Sequence, residues 1–357
     1  MTSEAFPAAT RRVKKTSTGS STLEDVARKS GVSAMTVSRA LNRPELVSAT
    51  TRDRVWQAVE EIGYIPNLLA GALASNRSRL VAVMLPTMAN SIFAGYIQAL
   101  TERLAAAGYQ VMLGLTNYSF ETEEALLATV ISRRPDGIVL TGTQHSARSL
   151  KLLGAAKIPV VETWDKVQAP LDMLVGFSHF DVGRDTAGYL LDRGYRRFGL
   201  LWLDDVRGTL RREGFMQALA QRGIAPAGVS VVAAPASQQL GREGLDELLR
   251  QDPSIDAIVC SSDELAFGVL AEANRRGIRM PDDLALMGYG DLSAAAHTYP
   301  SLTTVKVNSA TIGAKAAEVL LARLQPSDPS SGGDGSRAHG GETRIDTGFE
   351  IVQREST

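Results

Sequence analysis

The feature that most restricts the fold is a change of hydrophobic period at Leu80. From there to about residue 300 short apolar runs recur: LVAVMLP, YQVMLGL, DGIVLT, IPVVET, MLVGF, RFGLLWL, DAIVC and LALMGY. Each has the length and composition of a buried strand. Amphipathic stretches lie between most of them; SIFAGYIQALTERLAAAGY, for instance, places Ile92, Tyr96, Leu100 and Leu104 on one helical face. This alternation predicts an α/β fold of parallel strands joined by crossover helices, since parallel neighbours need a long connection. A strand recurs roughly every 22 to 28 residues, more than one doubly wound sheet comfortably holds. Two similar lobes are therefore expected, with a ligand cleft at the carboxyl ends of their strands.

With 44% hydrophobic and 22% charged residues among 357, the chain can fill such cores. Charge is distributed unevenly. Residues 1–80 hold 12 Lys/Arg against 7 Asp/Glu, and the remainder 26 against 32. A basic N-terminal end suits an anionic polymer, although a solvated tail carrying Arg11, Arg12, Lys14 and Lys15 explains part of the excess. The first twenty residues are polar, and no later run approaches about 18 apolar residues, so a cytoplasmic protein without a membrane partner is expected. The single cysteine, Cys260, reads as a small hydrophobe ending a strand. From Pro326 the run PSDPSSGGDGSRAHGG reads as a flexible loop, and TRIDTGFEIV as a final strand.

Ahead of this core stands LEDVARKSGVSAMTVSRALN, Leu23 to Asn42. Leu23, Val26 and Ala27 share a helical face, Gly31 permits a tight turn, and Ser33 can cap a second helix running to about Leu41. A third helical pattern ends near Gly63. On the second helix Val37, Ala40 and Leu41 face inward, while Ala34, Met35, Ser38 and Arg39 face outward, where a recognition helix meets base edges. Arg39 could bond guanine, Ser33 and Ser38 phosphates, and Met35 a thymine methyl. A generic helical hairpin would show the same periodicity.

TLEDVARKSGVSAMTVSRALN, followed by VSATTRDRVWQAVEEIGYIPN, resembles the DNA-binding head of the lac repressor and galactose repressor family of bacterial regulators. The resemblance continues through DGIVL, IPVVE, SSDELAFGVLAEANRRGIRMPDDLALMGYGD and PSLTTVKVNSATIGAKAAEVLLARL. PVVETWD and VGFSHF are most similar to gluconate-type repressors. It implies a basic tail over 1–21, a helix-turn-helix domain over 22–65, a hinge over 66–79, and a two-lobed effector-binding and dimerisation domain over 80–357. It also implies a homodimer on a pseudo-palindromic operator in double-stranded DNA, which effector binding releases. DNA contacts would fall at Thr22, Ser33, Ala34, Met35, Thr36, Ser38, Arg39, Asn42 and Asn67, with Leu73 wedged into the minor groove. Gly71 weakens the hinge as an isolated helix, so it would order on DNA.

For the cleft, Arg211 matches an arginine that binds the effector in lac-type repressors, and Phe177 and Ser262 match other cleft positions. Arg211 could instead be a surface arginine in an ion pair. Where the family has GYDD or GFDD this chain has GYGD, so Gly290 replaces a sugar-binding carboxylate and only Asp291 remains. Losing an acid favours an anionic effector, such as gluconate or a phosphogluconate. Donors could come from Arg211, His145 and Arg148, and Glu162 could take hydroxyls at the far end. No catalytic constellation, dinucleotide fingerprint or metal-ligand spacing is present in the sequence, so no enzyme activity, cofactor or metal is expected. The alternative is a solute-binding protein, which would share the lobes but not the head.

Overall fold

The computed structural model describes residues 21–65, 77–324 and 343–357. Asn67, Leu73 and the Ser/Gly-rich run fall outside these, as does the side chain of Asn42. The chain divides into two compact units, meeting between Ser78 and Arg79.

The smaller unit has three helices, α1 (Leu23–Ser30), α2 (Ala34–Asn42) and α3 (Ala49–Ile62). Thr22 starts α1 in a capping box with Asp25, and Ser33 and Ser48 cap α2 and α3 by accepting from the backbone of Thr36 and Thr51. Gly31 and Gly63 end α1 and α3 with φ of 66° and 62°, a conformation that costs other residues more. Val26, Val37, Ala40, Val55, Ala58 and Val59 form the buried core.

The larger unit builds two sheets. β1 (Leu80–Leu85), β2 (Gln110–Leu115), β3 (Gly137–Thr141), β4 (Val160–Thr163) and β5 (Met173–Gly176) alternate with helices α4 (Ile92–Ala106), α5 (Phe120–Ser132) and α6 (Ala147–Ala156). The chain then crosses to a second lobe, laying down α7 (His179–Asp192), β6 (Phe198–Asp204), α8 (Val206–Ala220), β7 (Gly228–Ala233), α9 (Gln238–Gln251), β8 (Ala257–Cys260), α10 (Asp263–Arg276), β9 (Ala285–Gly290) and β10 (Thr303–Lys306). It returns with α11 (Ser309–Leu324), which packs on α4, and ends in β11 (Thr343–Asp346) and β12 (Glu350–Val352). The sheets run β11-β5-β4-β3-β1-β2 and β12-β10-β9-β8-β6-β7. Among the described residues the strand pairings are parallel except that of β10 with β12.

The expected final strand TRIDTGFEIV is in fact two. Its halves join different sheets and are separated by Gly348 at φ 62°. Two strands were not anticipated, β7 and β10. The lobes are thus linked near Phe177, Val307 and Thr347, a triple connection that suits a cleft able to open and close.

Helices approach closely where glycines meet carbonyls. A Cβ at Gly183 of α7 would overlap the carbonyl oxygen of Arg211 in α8, and one at Gly214 of α8 would overlap that of Phe180. This contact brings the amino-terminal ends of α7 and α8 together. Among the described residues no helix is long and apolar enough to cross a membrane.

Candidate functional site

In the head, the side chains that the sequence places toward DNA differ in what they can offer. Met35 is 64% exposed and Arg39 is exposed, with no ion-pair partner for Arg39 among the described residues. Ala34, Thr36 and Ser38 are half-buried. Ser33 is engaged by Thr36, whose backbone nitrogen lies at 3.2 Å and hydroxyl at 2.9 Å. Thr22 is held by Asp25 in its capping box. By contrast Arg28 and Lys29 are paired, with Asp25 at 3.0 Å and Glu61 at 2.8 Å. Among the described residues Arg39 is therefore the cation of α2 without an ion-pair partner.

In the larger unit a cavity of about 430 Å³ opens at the carboxyl ends of strands from both sheets. Its walls include Thr116 after β2, Thr141 to Gln144 at and after the end of β3, Asp165 after β4, and Asp204 to Arg207 where β6 passes into α8. Tyr118, Asp205 and Arg207 also line an adjoining cavity of about 40 Å³, together with Trp164, His179, Arg211, Ser262 and Tyr289. The two ends differ chemically.

The small end is rich in donors. Arg211 is buried at 6% exposure; its Nη1 donates to His179 Nδ1 at 2.9 Å and its Nη2 to the Ser261 carbonyl at 3.2 Å. Its guanidinium carbon stands 4.0 Å from the Tyr289 ring centroid, a cation–π arrangement. Arg207, one helical turn earlier, lies on the same face of α8. Arg211 Nε, Arg207 Nη1 and Trp164 Nε1 are buried donors without a protein acceptor. Among the described residues no carboxylate lies within ion-pair distance of either arginine. Asp205 lines this end as well and Arg207 acts electrostatically on Asp165, but neither carboxylate pairs with these arginines, and an acceptor arriving here would satisfy donors that the fold leaves open. His179 is kept neutral: burial, then Arg211 and Arg207, push its pKa well below the usual imidazole value.

The large end is acidic, with Glu123, Asp165, Asp204, Asp205 and Glu213 in its walls. Asp165 accepts from the Thr143 hydroxyl at 2.9 Å and the Lys166 backbone at 2.8 Å, yet burial raises its pKa. Asp205 caps α8 by accepting from Gly208. Such carboxylates suit hydroxyl donors.

Of the eight cleft residues read from the sequence, the structure brings Arg211 and Ser262 to these walls and places the others elsewhere. His145 lies behind Glu123, with Nδ1 at 3.0 Å from Glu123 Oε1 and Nε2 at 3.5 Å from Glu162 Oε1. Burial alone would lower its pKa, but the two carboxylates outweigh burial and lift it to about 9. Glu162, 2% exposed, also accepts from the Leu171 backbone. These two residues therefore support Glu123 from behind. Arg148 is turned outward toward Glu124, with its side chain 71% exposed. Phe177 is fully buried between Trp164 and His179. Asp291 pairs with Arg354 at 2.6 Å. Gly290 adopts φ 131°, which strains any side chain placed there. Sequence reading missed Arg207, Trp164, His179 and Asp165. Signals were nonetheless present: Trp164 and Asp165 stand in PVVETWD and His179 in VGFSHF, the two stretches most similar to gluconate-type repressors, and Arg207 lies four residues before Arg211.

Comparison with known proteins gives the following. Residues 22–67 match the family described as bacterial regulatory proteins, lacI family, and residues 187–357 match the periplasmic binding protein-like domain. The HTH-type transcriptional regulator GntR of Pseudomonas aeruginosa is 35% identical over 342 residues, covering 95% of this chain and 96% of the relative. A solved LacI-family transcriptional regulator from Silicibacter pomeroyi is similar with a TM-score of 0.86 and 36% identity, covering 94% of this chain and 98% of that one. The lac repressor dimer bound to operator and the anti-inducer ONPF gives a TM-score of 0.78 at 25% identity, covering 94% and 98%.

Proposed function

The chain belongs to the lacI family of bacterial regulatory proteins and is a DNA-binding transcriptional regulator rather than an enzyme; from that premise we propose that it represses genes for the use of a sugar acid, and that a gluconate-type acid in the cleft releases a pseudo-palindromic operator. The observation that carries the effector reading is the set of three buried donors, Arg207 Nη1, Arg211 Nε and Trp164 Nε1, without protein acceptors. An aldonate would set its carboxylate against them and its hydroxyl tail among Glu123, Asp165 and Glu213. That layout also bears on phosphorylation. A phosphate on the tail would stand among carboxylates, so an unphosphorylated acid fits better than a phosphogluconate.

Calorimetry on the full chain tests this with gluconate, glucitol and 6-phosphogluconate. Gluconate is expected to bind at least about tenfold tighter than either, which needs only about 1.4 kcal/mol. Equal binding of glucitol would overturn the acid reading. Tighter binding of 6-phosphogluconate would overturn the orientation.

Family members of this type act as dimers, as in the lac repressor structure. For this chain a dimer is supported by the edge strands β2 and β7, where Leu113 (44%), Leu115 (39%), Val229 (36%) and Val231 (47%) are exposed. In the proposed switch, effector and operator favour different lobe arrangements, since a ligand binding both states equally shifts nothing. Residues 66–79, with Asn67 and Leu73, would form the hinge that carries the change.

On the DNA side, Arg39→Ala is expected to cost about 1–3 kcal/mol of discrimination between operator and random DNA while leaving nonspecific binding largely intact. Titration of both duplexes at one salt concentration checks this, and an unchanged affinity ratio removes Arg39 from base readout.

A further inference from the structure

We infer that His179 is a positioning residue for the acid group of the effector, fixing from its two ring nitrogens one donor from each lobe. The inference rests on the acid reading above. His179 opens α7 directly after the chain crosses between lobes, and it is 2% exposed. Its Nδ1 lies 2.9 Å from Arg211 Nη1, and its Nε2 lies 2.8 Å from the Trp164 carbonyl oxygen.

An arginine can only donate and a carbonyl can only accept. Nδ1 must therefore accept and Nε2 must carry the proton, so the neighbours select one neutral tautomer. The other tautomer would aim an N–H at the guanidinium and a lone pair at the carbonyl. A cationic ring would do the first of these and add a charge beside Arg211 and Arg207 on α8. Tyr289 on β9 has its ring centroid 6.3 Å away, and Asn90, Tyr118, Asp205 and Ser262 line the same cavity. Phe177 fixes the imidazole plane from the edge, at 4.7 Å between centroids.

The two partners of His179 are also two of the residues with orphaned donors at the small end of the cleft. Arg211 Nε and Trp164 Nε1 are both buried without a protein acceptor, and both residues line the same cavity. Trp164 has φ 66°, a backbone conformation unusual for a large residue, and the imidazole holds the carbonyl that follows it. One ring thus holds, through the Trp164 carbonyl and the Arg211 guanidinium, one residue of each lobe that lines this cavity. The acid group need not touch His179.

The test uses the full chain as parent, His179→Phe, His179→Gln, Arg211→Ala and the His179→Phe/Arg211→Ala double variant. Gluconate and glucitol affinities are measured by calorimetry, and the His179 tautomer by nitrogen NMR of the free protein. The neutral Nε2–H form is expected at neutral pH. His179→Phe should lower gluconate affinity by about tenfold or more and move glucitol by less than about threefold. The amide of Gln, which can donate and accept, should recover part of the loss. In the Arg211→Ala background His179→Phe should add less than about threefold, because the two act as one unit. A folded His179→Phe chain with the parent's ratio of gluconate to glucitol affinity overturns the inference, as does an Nδ1–H or cationic ring. If His179→Phe does not fold, full parental selectivity in His179→Gln at altered Arg211 geometry, read from the Arg211 side-chain resonances, overturns it. A parent indifferent between gluconate and glucitol defeats the effector reading instead, and the tautomer measurement still decides whether the ring sets both donors.

Discussion

Arg211→Ala is expected to weaken gluconate binding by about 2–5 kcal/mol, roughly thirtyfold to several thousandfold, while the affinity for glucitol changes far less. The size follows from where the charge sits. Arg211 is 6% exposed, stacked on Tyr289 and bonded to His179 and Ser261, with no carboxylate in ion-pair reach among the described residues. A ligand carboxylate would give it an ion-pair partner, in surroundings where water screens little. Arg211→Lys separates charge from geometry: an ammonium keeps the former but cannot make the same fork of contacts, so an intermediate affinity is expected. The Ala variant should still bind operator but should need far more gluconate to release it. Calorimetry and operator release measured side by side check both statements. Equal losses for gluconate and glucitol would place Arg211 in general support of the fold and not in recognition of the acid.

How far the sequence reaches depends on whether a contact is local. The head was legible almost to the residue, because its caps and turns are made by neighbours in the chain: Ser33 bonds Thr36 and Gly63 closes α3. The alternating lobes were legible too, since strands buried on both faces, such as AIVC and MLVG, are continuous apolar runs. β7 escaped because it is an edge strand whose Val229 and Val231 face outward, and β10 because TTVK is four residues long with two threonines. The break in the last strand has a local signal in Gly348.

The cleft was legible only in part. In the sequence the missing carboxylate at Gly290 is the ground for an anion, whereas the structure adds buried N–H groups on Arg207 and Arg211 without a protein acceptor and no carboxylate in ion-pair reach of either among the described residues. Trp164 and His179 are fifteen residues apart, and His179 and Arg211 thirty-two. No period or spacing rule links such residues, since tertiary packing alone sets them side by side. His145 shows the converse. Its position after β3 suggested a cleft donor, but two carboxylates draw the ring behind the wall, where it meets Glu123 and Glu162.

That packing yields a sharp test on a single helix. Gly183→Ala is expected to destabilise the larger unit by about 3 kcal/mol, because the added methyl meets the Arg211 backbone and not a flexible side chain. α7 and α8 would have to part, and Gly214 on α8 makes the reciprocal contact with Phe180, so no small rotation relieves both. Gly188→Ala, five residues along α7, supplies the control. Nothing lies within 4 Å of a Cβ there, so the substitution should gain about 0.5–1 kcal/mol from reduced backbone freedom in the unfolded chain. Thermal unfolding should therefore move in opposite directions, falling on the order of 5–10 °C for Gly183→Ala and rising slightly for Gly188→Ala. Gluconate affinity adds a second readout: at a temperature where both variants are folded, Gly183→Ala should weaken it and Gly188→Ala should not. The first methyl displaces the segment that carries Arg211, and the second touches nothing. Similar stability and affinity in the two variants would mean that α7 and α8 are not held at this distance.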